Sequence, residues 1–128
     1  MNKPQNLPGI WIIEDDSEIR SVLVYFSESE GFRTSEASSV REAEALAQKS
    51  ERDGEVPCAI ISDFSLLDGD AEEFLKSCRI AYPEITIVCI TASADPGLAK
   101  RLKRHQIVTL RKPITLSELL SALKLAVK

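Results

Sequence analysis

Short apolar runs alternate along the chain with stretches whose apolar residues recur at helical spacing. Residues 10–13 form the first run, which stops at Glu14, Asp15 and Asp16. Ile19, Val22, Leu23 and Phe26 then follow the i, i+3, i+4, i+7 spacing of an amphipathic helix, with Gly31 placed to cap it. Residues 32–37 read as a short, weaker strand, and Ser39 with Glu42 forms a capping box for a helix to about Arg52. Residues 58–62 are an isoleucine-rich run ending at Asp63. Asp70 and Glu73 are placed to cap a helix carrying Phe74, Leu75 and Cys78. Residues 85–90 are a β-branched run ending at Thr91, and Asp95-Pro96 is a helix start with proline at the first helical position. Residues 107–110 form the last run, closed by Arg111-Lys112-Pro113. Thr115 and Glu118 make another capping box, and Leu116, Leu119, Leu120, Leu123 and Val127 give the final helix its apolar face.

Five strands and five helices in strict alternation predict an α/β fold, a doubly wound parallel sheet with helices on both faces. The apolar runs are continuous rather than alternating, as strands covered on both faces require. Right-handed crossovers prune the topology, and in open α/β sheets the site lies outside the carboxyl ends of the strands. The residues at those ends are Glu14 and Asp15 (with Asp16 next), Asp63, Thr91, and Lys112 with Pro113. If the first, third, fourth and fifth strands are neighbours, these side chains converge on one pocket.

Composition narrows the class. The 128 residues make one domain of ordinary size, with 44% hydrophobic and 28% charged residues. Cys58, Cys78 and Cys89 lie in or beside apolar runs and read as reduced core thiols. A single histidine and no C-x-x-C argue against metal ligation by these cysteines. No run approaches the roughly 18–20 apolar residues of a membrane span. Residues 1–9 are polar, contain two prolines and lack a signal-peptide core. The expectation is a flexible segment over 1–9, a domain over 10–128, and a cytoplasmic protein. Net charge is −4, but residues 1–95 carry −11 and residues 96–128 carry +7. The basic run Lys100, Arg101, Lys103, Arg104 and His105 has no interleaved aromatics and no DNA-reading motif, so nucleic acid is not an expected partner. Trp11 reads as strand packing.

Three neighbouring carboxylates repel one another, and a divalent cation relieves this. All-oxygen ligands select a hard ion, Mg²⁺ or Mn²⁺. A phosphoryl group on one carboxylate would add further negative charge, which the cation and Lys112 can neutralise while Thr91 donates a hydrogen bond. There is no Gly-rich phosphate loop, so a donor would bring its own phosphoryl group.

Four segments, IWIIEDDSEIR, AIISDFSLLDG, ITIVCITAS and LRKP, occur in this order, each at a strand end. In them the chain resembles the receiver domains of two-component response regulators, from about Ile10 to Val127. The resemblance implies a flavodoxin-like sheet of order 2-1-3-4-5. It implies that Asp63 is the phospho-acceptor and that Asp15 is a direct Mg²⁺ ligand. Glu14 would act through water, and the Ser65 backbone carbonyl would complete the shell. Thr91 is then the switch hydroxyl, Lys112 the phosphate-binding lysine, and Pro113 the proline that usually follows it through a cis bond. Implied partners are a histidine kinase or histidine phosphotransfer protein, a downstream effector, and a phosphorylation-dependent homodimer. Such a domain is not an enzyme in its own right: it accepts a phosphoryl group and dephosphorylates itself.

The chain departs from the family at Leu67, often proline, at Ala71, often glycine, and at Thr109, where many members carry an aromatic switch residue. The last departure resembles receivers attached to hybrid kinases. Two alternatives remain at this point: a degenerate, unphosphorylated receiver, and an Mg²⁺-dependent phosphohydrolase with an aspartyl intermediate. Against the second, Ser65 stands where some such enzymes have the second aspartate, and the chain has no cap domain.

Overall fold

The computed structural model describes residues 7–124. Its elements follow the predicted alternation: β1 (Gly9–Ile13), α1 (Ser17–Ser29), β2 (Arg33–Ala37), α2 (Val40–Asp53), β3 (Ala59–Asp63), α3 (Glu72–Ala81), β4 (Thr86–Thr91), α4 (Pro96–Lys103), β5 (Ile107–Arg111) and α5 (Leu116–Lys124). The strands form one parallel sheet of order β2-β1-β3-β4-β5. Strand order reverses between β1 and β3, which is where such sheets open a crevice at their carboxyl edge. Within the expected N-terminal segment, Gly9 pairs in β1 and the Arg33 N–H donates to the Pro8 carbonyl at 2.8 Å. Residues 1–6, and Val127 of the expected α5 face, lie outside the described residues.

The sheet divides the core in two, because alternate strand residues face opposite layers. Trp11, Ile13, Ile60, Ile87, Cys89 and Ile107 pack with Leu75, Cys78, Leu98 and Leu102 of α3 and α4. Ile10, Ile12, Ile61, Val88 and Ile90 pack with Leu23 of α1 and with Leu119 and Leu123 of α5. Trp11 is a packing residue, edge-on to Tyr82 with ring centroids 5.9 Å apart. Burial pushes the Cys78 and Cys89 thiols up to about 12, and no disulfide forms among the three free cysteines.

Local signals explain most helix starts. Asp16 caps α1 by accepting the N–H groups of Glu18 and Ile19, and Gly31 follows its end at φ 94°. Asp95 caps α4 ahead of Pro96. Thr115 and Glu118 exchange the two bonds of a capping box. At α2 the box is offset: Ser39 accepts the Glu42 N–H, but the Glu42 carboxylate accepts from the N–H and hydroxyl of Ser38. At α3 the N-cap is Ala71, with no side-chain cap; Asp70 accepts the Glu72 N–H, and Glu73 pairs with Lys76 instead.

Opposite the predicted site, the Arg79 guanidinium donates to the carbonyls of Tyr82, Pro83, Ile85, His105 and Gln106. One side chain thus holds the end of α3, the approach to β4 and the α4–β5 turn together.

Candidate acidic pocket at the carboxyl edge of the sheet

The β1, β3 and β4 strands are buried on both faces, which fixes where their last residues point. Glu14 follows β1, and its N–H donates to the Ala37 carbonyl of β2 at 3.0 Å. Asp63 is the last residue of β3, and Thr91 the last of β4. The next residue after β5, Lys112, is held by its N–H, which donates to the Thr91 carbonyl at 2.8 Å. Its bond to Pro113 is cis, as the resemblance implies.

Glu14, Asp15 and Asp63 each offer a carboxylate oxygen, and these oxygens all lie within 4.8 Å of one another. Glu14 is 2% exposed and Asp63 6%. Burial, aided by the charge of Asp63 and a hydrogen bond with Asp15, raises the Glu14 carboxyl from the usual 4.5 to about 7; the Asp16 N–H and the Lys112 charge oppose the shift. Across the pocket, Lys112 Nζ donates to Asp63 Oδ2 at 3.1 Å. Burial disfavours the Lys112 charge, yet the bond to Asp63 and the charges of Asp63, Glu14 and Asp15 raise its pKa on balance. The pocket therefore holds three acids against one ammonium. Its donor set fits a hard divalent cation, since it is all oxygen and crowded with negative charge.

Thr91 is 5% exposed, and its Oγ1 accepts the Ser93 N–H at 3.0 Å. Asp16, on the solvent side, is spent on capping α1. Ser65 opens a small hairpin in which Ser65–Leu66 pairs with Gly69–Asp70, two residues beyond Asp63. The Phe64 N–H donates to the Ile90 carbonyl at 2.8 Å, so the residue after Asp63 is fixed to β4. Glu14, Asp15, Asp63, Thr91 and Lys112, all singled out from the sequence, therefore meet at one edge of the sheet.

Two residues that hold the pocket were not singled out. Arg20 of α1 donates through Nη1 to the Glu14 carbonyl at 2.8 Å and through Nε to Glu36 at 3.1 Å. Asp68 accepts the N–H groups of Val40 and Arg41, 28 and 27 residues away in sequence, at 2.8 and 3.0 Å. No spacing rule connects such partners. Where Leu67 replaces the family's proline, the side chain is 84% exposed at the hairpin tip. Thr109 lines a pocket of about 170 Å³ with Thr91, Ser93, Asp95, Leu98 and Arg111. The Thr109 Oγ1 is buried there without a hydrogen-bond partner among the described residues.

Comparison with known proteins agrees with this geometry. A family profile for the response regulator receiver domain matches residues 10–124. The chemotaxis protein CheY4 of Vibrio cholerae is similar in structure, with a TM-score of 0.77 and 26% identity over 92% of this chain and 97% of that one. The non-phosphorylated HemR receiver domain of Leptospira biflexa gives a TM-score of 0.82 at 22% identity, over 94% of this chain and 95% of that one. A Burkholderia pseudomallei response regulator, solved with a phosphorylated aspartic acid, a calcium ion and citrate, gives 0.78 at 21% identity, over 91% of this chain and 66% of that one. No curated protein matches in sequence. With its profile match spanning nearly the whole described domain and its acids, hydroxyl and lysine at the expected strand ends, the chain belongs to the response regulator receiver domain family.

Proposed function

We propose that Asp63 accepts a phosphoryl group from the phosphohistidine of a partner kinase or histidine phosphotransfer protein. The observation that carries this reading is the 3.1 Å bond from Lys112 to Asp63 in a pocket where three carboxylates converge within 4.8 Å. Asp63 is the acid among the three that the lysine contacts, and it lies at the end of the central β3 strand.

Glu14, Asp15 and Asp63, with the Ser65 carbonyl, are the residues that would hold Mg²⁺, or Mn²⁺ in its place. When bound, the ion supplies positive charge against the oxygens of a transferring phosphoryl group. An Asp63 carboxylate oxygen attacks phosphorus, the bond from phosphorus to the donor imidazole nitrogen breaks, and the imidazole leaves with the electron pair. Lys112 stabilises charge on the phosphoryl oxygens, and positioning and electrostatics account for most of the acceleration. The Thr91 hydroxyl turns from the Ser93 N–H to donate to the acyl phosphate, which biases a two-state equilibrium in the β4–α4 loop. Hydrolysis of the acyl phosphate returns the domain to its resting state, so it is a switch rather than a turnover enzyme. Ile19 and Val22, 43% and 56% exposed on the first turns of α1, give a protein donor an apolar surface beside the pocket.

Incubation with acetyl phosphate and Mg²⁺ followed by intact mass measurement tests the proposal. One phosphoryl adduct is expected in the wild type and none in Asp63→Asn; an adduct that persists in the variant overturns the assignment. No adduct from acetyl phosphate or a cognate kinase indicates a degenerate receiver. Catalytic phosphate release from small esters indicates a phosphohydrolase.

A further inference from the structure

The two loops that carry the proposed metal ligands are tied to one corner of the fold, residues 36–41, where β2 turns into α2. On the β1 side, the Glu14 N–H donates to the Ala37 carbonyl at 3.0 Å, and the Glu14 carbonyl accepts from Arg20 at 2.8 Å. Arg20 is held in turn by Glu36, at 3.1 Å. Both peptide groups of Glu14 are therefore fixed, and its carboxylate accepts the Asp16 N–H at 3.1 Å. On the β3 side, Asp68 reaches from the hairpin tip to the N–H groups of Val40 and Arg41. Ser39 caps Glu42, so the first three N–H groups of α2 are satisfied, two of them by the acceptor loop. The corner itself contributes no side chain to the pocket.

We propose that the β2–α2 corner is the positioning platform of the acidic site: Arg20, Glu36 and Asp68 set the separation between the Glu14–Asp15 loop and the acceptor loop, and so set its affinity for a divalent cation. The inference rests on the phospho-acceptor reading to the extent that a cation must bind Glu14, Asp15 and Asp63. Converging carboxylates repel, and loops free to part would do so. A small divalent ion demands close, near-ideal placement of its ligands, so a modest widening weakens binding. Groups that orient metal ligands from behind are typically worth ten- to a hundredfold in affinity. The coupling is reciprocal: a cation that draws the two loops together also stiffens the first turn of α2.

The test is Mg²⁺ titration calorimetry on the full chain, with amide hydrogen exchange at Val40 and Arg41 followed with and without Mg²⁺. Arg20→Met and Asp68→Ala are each expected to weaken Mg²⁺ binding about tenfold, while Glu73→Gln, which makes the same charge change as Asp68→Ala at an exposed site, stays within about twofold. Arg20→Lys and Asp68→Asn are the gentler variants if either of the first fails to fold. In the wild type, Mg²⁺ should slow exchange at Val40 and Arg41, and Asp68→Ala should remove that slowing. Folded variants with wild-type affinity, or exchange indifferent to Mg²⁺, overturn the platform. A wild type that binds no Mg²⁺ overturns the underlying reading as well, a result distinct from flat variants on a binding wild type.

Discussion

Lys112 Nζ meets Asp63 Oδ2 at 3.1 Å by reaching from the end of β5 across β4 to the end of β3. The lysine is therefore both counter-ion to Asp63 and competitor with a cation for the same carboxylate.

Lys112→Met should separate these roles. Mg²⁺ affinity is expected to rise, because a competing charge is gone. Phosphoryl uptake from acetyl phosphate should fall about a hundredfold, the usual scale for loss of one group aimed at transition-state charge. Calorimetry and rate-resolved mass measurement read the two effects separately; a variant that loses Mg²⁺ affinity and uptake together contradicts this division.

Glu14 makes the metal-free protein sensitive to pH. Its folded carboxyl titrates at about 7 against the usual 4.5. Between these values the folded chain keeps a proton that the unfolded chain releases, so stability falls as pH rises through that window and levels off above it. The loss can reach about 3 kcal/mol. Thermal melts in EDTA from pH 4.5 to 8 should show the decline. Glu14→Gln should flatten it and melt higher at pH 8, and Mg²⁺ should restore the wild type at high pH.

Arg79 offers a control at the opposite edge. Arg79→Met strips a shared donor from five carbonyls and should cost about 2–4 kcal/mol in denaturant melts. Mg²⁺ affinity and the phosphoryl adduct should be unchanged in the folded fraction, because Arg79 lies beyond the amino ends of β4 and β5.

The contrast between Arg79 and Thr115 shows what was legible in the chain. Thr115 caps through a partner three residues on, so its role follows from spacing. The strand ends were legible for a similar reason: a run buried on both faces must stop being apolar where it leaves the sheet, and Asp63 and Thr91 mark those points. Arg79, Arg20 and Asp68 bind main-chain groups brought near by topology, and main-chain groups carry no residue signature. The small hairpin after Asp63 has no residue signature because its bonds are also main-chain bonds, whereas Asp70 at the start of α3 does accept a first-turn N–H. The offset of the Glu42 box by one residue, to Ser38, is a choice between adjacent serines that spacing alone does not make.

Thr109 tests the cavity beside the Thr91 hydroxyl. Its buried Oγ1 has no partner among the described residues, so Thr109→Val, of nearly the same shape, should stabilise the protein by about 1 kcal/mol. Adduct formation at Asp63 should be unaffected, since Thr109 touches the cavity rather than the carboxylates. A lower melting temperature for Thr109→Val would show that the hydroxyl is satisfied in solution.

Cys78 and Cys89 lie 2% and 0% exposed on the layer covered by α3 and α4, with thiols pushed up to about 12. A thiol reagent needs both access and thiolate, and the folded chain denies these two residues both. Their modification therefore counts openings of that layer, and Cys58, half-buried on the other side of the sheet, supplies an internal reference. The domain carries a native clock for the breathing of one half of its core, readable with and without a phosphoryl group on Asp63 and needing no engineered label.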